Sequence, residues 1–366
     1  MFSFRAALVE ALIITDTIDI DSHQVVVCQG GSHTRIETRP VPVPGTGELL
    51  LKLRVVGLCG TDLFKLDTGA AQPGMVLGHE VVGEVVVTGQ GVKFKTGERV
   101  AVPHHVACGT CIYCERGAET MCETFKQNLL EPGGFAERIL VRPRAAEFAA
   151  RALPASLSDE AAVFMEPAAC VLRGVDRSGI AERGIAVVLG AGSMGLLHLL
   201  VLQATLPGLG VVCVDPVAER RQAALELGAS KAVAPGEPVS VALDELGQPE
   251  GADAVFDTVG GARTLRDGLT LTRQGGSIVL FAHAPDGGQA DFDINTLFKH
   301  ERKVVGTYSG GLDEQARVFE LLGSGTFDPT PLVTHRLPLN RFDEGVMLAR
   351  ERKALKIVFT PSTERI

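Results

Sequence analysis

One run constrains the fold of this chain more than any other: "IAVVLGAGSMGLLHLLVLQA" at 185–204. It is almost uniformly apolar and nearly long enough to span a bilayer. Three glycines and a histidine interrupt it, so it reads instead as strand, tight turn and helix. The alternation continues through "GVVCVD", "VAERRQAALELG", "ADAVFDTV", "GGSIVLFAH" and "KVVGTYSG". Strands alternating with helices predict an α/β unit built on a doubly wound parallel sheet. Inside the run, Gly190, Gly192 and Gly195 form G-x-G-x-x-G between strand and helix. Such glycines permit a tight turn and let a pyrophosphate approach the backbone. The helix that begins at Ser193 and Met194 offers unpaired N–H groups and a positive dipole end. Asp215 stands 20 positions after Gly195, at the tip of the next strand. There its carboxylate would accept hydrogen bonds from the adenosine ribose hydroxyls. The same charge would repel a 2′-phosphate, so NAD is expected over NADP, with Arg220 and Arg221 softening the repulsion. Arg220, Thr258 and Tyr308 complete the expected cofactor-binding set.

The chain before this unit has another character. Between about 24 and 143, short apolar runs such as "GELLLKLRVVG", "VLGHEVVGEVVVTGQGV", "GERVAVP" and "GGFAERILV" alternate with turn signals, the spacing of a β-rich unit. "SLSDEAAVFMEPAACVLRGV" then has helical spacing, with Ser158 as N-cap. After Tyr308 helix and strand mix again, and this tail is expected to pack back, at least partly, on the β-rich unit. The expected division is an N-terminal extension over 1–22, a β-rich unit over 23–158, a nucleotide unit over 159–308 and a returning segment over 309–366. A net charge of −9 across 366 residues argues against nucleic acid or an anionic membrane as partner. The N-terminus lacks the cleavage pattern of a signal peptide, so the expected location is the cytoplasm.

Four of the eight cysteines, Cys108, Cys111, Cys114 and Cys122, form C-x2-C-x2-C-x7-C. Four thiols in one short loop of a reduced cytoplasmic protein point to a closed, tetrahedral, structural zinc. Cys59 in "CGTD", His79 and Glu80 in "GHE" and Glu166 in "EPAA" are softer signals. Singly, each reads as a packed thiol, a core histidine or a surface charge. Together they supply a thiolate, an imidazole and carboxylates, enough for a second zinc with a coordination position left open.

These motifs carry a resemblance. "GHEVVGEVVVTGQGV", "CGTD", the four-cysteine loop, "GGFAE", "EPAA", "GAGSMG" and "DPVAERRQAALELGA" resemble, in order and spacing, the zinc-dependent medium-chain dehydrogenases. The likeness runs from about Gln24 to the C-terminus and leans to the sorbitol and threonine dehydrogenase branch. It implies a GroES-like catalytic domain, a Rossmann domain, and an active site in the cleft between them. It implies one catalytic and one structural zinc per chain, NAD, a small-molecule alcohol substrate and a homo-oligomer, dimer or tetramer. Cys59 and His79 would ligate the catalytic zinc, with Glu80 and Glu166 competing for the next position. Asp62 would orient His79, and Thr61 would take the substrate hydroxyl proton in a hydrogen bond. Hydride would pass from a secondary alcohol (a polyol, sugar or cyclitol) to NAD, giving the ketone. A threonine- or butanediol-type substrate is the alternative. A zinc-free quinone or enoyl reductase fits poorly, since it needs none of these ligands, and no missing ligand marks a non-catalytic relative.

Three positions depart from the pattern. Phe64 stands where many members carry a histidine that ends a proton relay. Lys65 replaces a pocket tyrosine of sorbitol dehydrogenases, and Thr307 replaces the arginine beside Tyr308. Lys65 raises the expectation of a substrate with an anionic or strongly polar end, against that of a solvated lysine on the cleft rim.

Overall fold

The computed structural model describes residues 22–284 and 287–362. The expected N-terminal extension therefore lies, except for Ser22, outside the described residues. The described residues open with a hairpin of β1 (Ser22–Gly30) and β2 (His33–Pro40). Next come β3 (Leu49–Gly57), helix α1 (Gly60–Thr68), β4 (Glu80–Thr88), β5 (Arg99–Val102), β6 (Leu130–Glu131), β7 (Arg138–Val141) and β8 (Arg151–Ala152). The nucleotide unit follows: helix α2 (Met165–Ser178), β9 (Ile185–Leu189), helix α3 (Ser193–Thr205), β10 (Gly210–Val214), helix α4 (Ala218–Glu226), β11 (Lys231–Val233), β12 (Ala252–Asp257), β13 (Thr272–Leu280) and β14 (Lys303–Gly306). Helix α5 (Leu312–Ser324), β15 (Val333–Pro338) and β16 (Lys356–Thr360) complete the frame.

Strands β9 to β14 form one parallel sheet in the order β11-β10-β9-β12-β13-β14. The order reverses between β9 and β12, which opens a crevice at their carboxyl ends. All five residues of β9 are buried, as a strand covered by helices on both faces requires. The other large sheet runs β15-β16-β3-β4-β5-β8, with β7 also paired to β3. Strand β16 comes from the far end of the chain and lies antiparallel to β3, so residues more than 290 positions apart share one sheet. In β3, Lys52 and Arg54 point outward while most of their neighbours are buried.

The helical stretch expected after Ser158 is two helices. Ser158 Oγ accepts from the Ala161 amide at 3.1 Å and caps a single turn. The chain then restarts as α2. Helix α2 joins the two sheets: one continuous apolar core contains its Ala168, Ala169 and Leu172 together with Val55 and Val82 of one sheet and Ala186 and Val188 of the other. The opening of α2 is thereby fixed beside both units. No helix among the described residues is long and apolar enough to cross a membrane.

Candidate active site and metal centres

The strand expected across 76–92 begins only at Glu80, so His79 lies in the loop that enters β4. Gly78 makes this entry possible. Its φ is +90°, and a Cβ there would sit 2.8 Å from the Phe135 amide nitrogen. On the facing loop, Cys59 caps α1: its Sγ accepts from the Thr61 amide at 3.5 Å. Asp62 ties the two loops together. Its fully buried carboxylate accepts from the amides of Cys59 at 3.1 Å and Gly78 at 3.2 Å, and lies 3.4 Å from His79 Nδ1. Such a partner fixes the ring of a histidine ligand.

Glu80 lies opposite Gly57, where a Cβ would fall 1.9 Å from Glu80 Oε2. Only glycine leaves room for this carboxylate. Its Oε2 forms an ion pair with Lys356 Nζ, while Oε1 is buried with no hydrogen-bond partner among the described residues. Lys356 is itself buried and donates to the Leu58 carbonyl at 3.2 Å. The Cys59 thiol, a His79 ring nitrogen and a Glu80 carboxylate oxygen lie within 4.8 Å of one another. Glu166 is not in that group. It sits in the first turn of α2, buried, with the Cys170 thiol 3.7 Å from its Oε1.

Electrostatics match this geometry. Burial alone would push His79 down, but Asp62 and Cys59 outweigh it and hold the imidazole well above its ordinary value. Burial would raise Asp62, yet His79 and the two amides hold it low. Glu166 is raised by burial and by Glu80, more than His79 and Lys356 lower it. A metal must therefore displace a firmly held proton from His79. Below that raised value, apparent zinc affinity is expected to rise with pH, about tenfold per pH unit for each proton displaced. Chelator competition at several pH values checks it. In the metal-free protein the sign reverses. The Asp62–His79 pair contributes stability that is fully present below the unfolded histidine value of about 6.5 and lost as pH rises through the folded one.

Cys108, Cys111, Cys114 and Cys122 form a second group of converging ligand atoms, also within 4.8 Å of one another. The Thr110 amide and hydroxyl pull the Cys108 thiol down to about 6, toward the thiolate a metal needs. The lobe rests on buried Phe125 and Ala107. It is also tied to α2: buried Arg173 donates to Glu119 and to Glu314 of α5, both at 2.8 Å, and to the Gly117 carbonyl at 3.2 Å.

The crevice of the parallel sheet opens into a cleft of about 1000 Å³. Gly190, Gly192, Ser193, Met194, Gly195, Asp215, Arg220 and Thr258 line it, and so do Cys59 and Glu80. Gly190 has φ +93°, and a Cβ on Gly195 would meet the Gly190 carbonyl oxygen at 1.8 Å, so glycine at both positions lets strand, turn and helix pack this closely. The Asp215 carboxylate accepts from the amides of Ala191 at 2.8 Å and Val217 at 2.9 Å, and Arg220 Nη1 stands 3.8 Å away. Thr258 closes the turn by donating to the Leu189 carbonyl at 2.7 Å. Tyr308 is half exposed and does not line this cleft.

Sequence reasoning missed four residues. Lys356 was detectable as the lone cation in the apolar run "ALKIVFT". His104 and His105 had no pattern to single them out. The His283 ring lies flat on Phe64, with centroids 4.8 Å apart and planes 7° apart, a long-range contact that no local motif encodes.

Residues 45–149 match the alcohol dehydrogenase GroES-like domain, and residues 195–324 match the zinc-binding dehydrogenase domain. The chain belongs to the zinc-dependent medium-chain dehydrogenase family. A sorbitol dehydrogenase of Halalkalibacterium halodurans is 28% identical over 341 residues, 91% of this chain and 97% of that one. An L-galactonate-5-dehydrogenase of Escherichia coli is 30% identical over 322 residues, 86% and 91% of the two chains. The crystal structure of a 2R,3R-butanediol dehydrogenase from Bacillus subtilis superposes with a TM-score of 0.82 at 29% identity, covering 93% and 100%. This dehydrogenase therefore falls in the sorbitol and threonine dehydrogenase branch, acts on a small-molecule substrate, and uses zinc and a nicotinamide dinucleotide.

Proposed function

We propose that the dehydrogenase oxidises a secondary alcohol to the ketone with NAD, using one catalytic and one structural zinc per chain. The observation that carries this reading is that Cys59 and Glu80, two of three converging ligands, line the same cleft as the glycine turn and Asp215. A metal held there would share its cleft with the nucleotide-binding turn. Cys59, His79 and Glu80 form the ligand set, with its unpartnered Oε1 as the free donor on Glu80. Glu166 stands one step further out. The fit is good in kind: a thiolate, an imidazole and a carboxylate are ordinary zinc donors.

Bound zinc supplies Lewis acidity that makes a substrate hydroxyl easier to deprotonate. The protein's own residues do the rest. Asp62 holds His79 in one tautomer and orientation. Lys356 offsets the charge of Glu80, so that two anionic ligands can share a buried site. Thr61, half-buried beside Cys59, accepts the hydrogen bond of the substrate hydroxyl and leads its proton away. The glycine turn and the α3 N-terminus hold the pyrophosphate, and Asp215 holds the adenosine ribose. NAD+ held by these residues would accept the hydride of the carbinol carbon, and the hydroxyl proton would go to solvent, so that the products would be ketone, NADH and H+.

Domain limits at 23–158, 159–308 and 309–366 suit this division of labour, the last segment lending β16 and Lys356 to the catalytic sheet. Strand β14 is the edge of the parallel sheet, with Val304 exposed, and favours a homo-oligomer built across it. A cytoplasmic location suits the thiol-rich metal sites.

Asp215→Ser tests the cofactor assignment. Hydrogen bonds to a charged group contribute about 1.5–3 kcal/mol, so kcat/KM with NAD should fall about 10- to 100-fold. Activity with NADP should rise as the repulsion disappears. Unchanged NAD kinetics would contradict the role given to Asp215. The reading as a whole is tested by NADH formation across polyols, cyclitols, sugars, threonine and diols, with NAD and NADP in parallel.

A further inference from the structure

Helix α6 (Phe342–Arg350) runs into the turn that carries the chain back to β16. The Lys353 amide donates to the Leu348 carbonyl and the Arg352 amide to the Ala349 carbonyl, both at 3.0 Å. That pair of bonds closes a helix through a left-handed residue, a place that favours glycine because it has no Cβ. Three other helices follow this rule: Gly69 after α1, Gly179 after α2 and Gly325 after α5 have φ of +74°, +67° and +75°. After α6 the left-handed residue is Arg352, with φ +59°. A long side chain at that φ costs free energy that glycine would not. Neither packing nor pairing in the turn asks for it. Arg352 is exposed, and its guanidinium has no carboxylate partner among the described residues, whereas Arg350 pairs with Asp67 and Lys353 with Glu351 at 2.7 Å.

What Arg352 does is line the cleft that also holds the glycine turn, Asp215 and Cys59. It enters from the tail that completes the catalytic sheet, while the glycine turn belongs to the parallel sheet. Among the described residues four cations line this cleft: Arg220, Arg263, Arg352 and Lys356. Lys356 is committed to Glu80, and Arg220 Nη1 stands 3.8 Å from Asp215. Arg263 and Arg352 are left without a carboxylate. Arg263 belongs to the first turn of a regular helix (Ala262–Leu271), so only Arg352 is held at a backbone cost. An unpaired guanidinium facing a cleft suits an anion with paired oxygens, and the diphosphate of a dinucleotide is one. The glycine turn and the α3 N-terminus offer that diphosphate N–H groups from one unit, but no full positive charge. Arg352 adds the charge from the other unit.

We propose that Arg352 binds the pyrophosphate of the nicotinamide dinucleotide, a positioning residue that ties the returning tail to the cofactor. This rests on the nucleotide cleft described above and adds to it a residue outside the glycine motif. It also accounts for an arginine where the turn favours glycine, since a strained conformation is retained where function needs the side chain it places.

The test reads binding rather than turnover: calorimetric Kd values of NADH, NADPH, ADP-ribose and adenosine on the zinc-loaded protein, with melting temperatures alongside. Arg352→Gln removes the charge and keeps the strain, Arg352→Gly removes both, and Arg352→Lys keeps both. NADH and ADP-ribose should bind about fivefold or more weakly in Arg352→Gln and in Arg352→Gly, since a charge-assisted contact is lost. In Arg352→Lys they should stay within about threefold of the wild type, because a point charge still serves a phosphate. Adenosine, which has no phosphate, should change little in all three. Salt should weaken ADP-ribose binding less steeply in Arg352→Gln than in the wild type. Arg352→Gly should melt at the wild-type temperature or up to about 3 °C above it as the strain goes, so its lost affinity is not a failure to fold. Unchanged Kd values in Arg352→Gln, or an equal loss for adenosine and ADP-ribose, would overturn the proposal. So would a loss confined to NADPH, which would put the guanidinium at a 2′-phosphate instead. A wild type that binds neither NADH nor ADP-ribose would overturn the nucleotide-cleft reading itself, and this proposal with it.

Discussion

Cys59→Ala is expected to lower kcat/KM for alcohol oxidation by at least about 1000-fold, because the Lewis acid is worth several kcal/mol of transition-state stabilisation. Bound zinc should fall by one per chain. The loss should be chemical rather than structural. Cys59 is half-buried in a loop, and the backbone bonds that frame that loop come from Asp62, which accepts from the amides of residues 59 and 78. NAD binding should persist, since the glycine turn and Asp215 lie on the other sheet. Metal analysis, NADH titration and steady-state kinetics on one preparation separate these effects. Wild-type turnover after loss of that zinc would show that the ligand cluster is not the reaction centre.

Cys111→Ser addresses the other metal group and should act through stability. A structural zinc couples binding free energy directly to folding of its lobe, on the order of 10 kcal/mol for a complete site. Loss of one of its four thiolates should remove that zinc and lower the melting temperature by about 5–10 °C. Activity should fall as well, though less than in Cys59→Ala. The reason is Arg173. It is buried in α2, and its guanidinium holds Glu119 and the Gly117 carbonyl, both inside the cysteine loop between Cys114 and Cys122, together with Glu314. A loosened lobe leaves that charge incompletely paired on the helix that also carries Glu166. Scanning calorimetry with metal analysis checks the result. A variant that lost the second zinc yet melted like the wild type would show that the lobe does not support the fold.

Much of the architecture was legible because its signals are local. The α/β class followed from alternating periodicity. The nucleotide turn followed from three glycines, each with its own steric reason in the sequence of strand, turn and helix. Cys59, His79 and Glu80 were legible as candidates because each stands in a short distinctive motif. What was not legible depends on distant pairing. Lys356 reaches Glu80 only because β16 returns to lie beside β3. Glu80 and Glu166 were equal in the sequence, and only the path of α2 separates them, leaving Glu80 with the other ligands and Glu166 outside. The break near Val163, which divides one expected helix into two, is likewise set by packing between two sheets. His283 meets Phe64 from more than 200 positions away, where no periodicity could announce it.

The central claim is that a metal-ligand cluster and a nucleotide cleft act as one site on a secondary alcohol. NADH absorbance tests it most directly, using wild-type enzyme of measured zinc content and the panel of polyols, cyclitols, sugars, threonine and diols with NAD. The account predicts two zincs per chain and NADH formation with at least one secondary alcohol. Removal of the cleft-facing zinc should abolish that signal, and re-addition should restore it. An enzyme holding two zincs that reduces NAD with none of these alcohols, or one that keeps its full rate with that zinc gone, would contradict it.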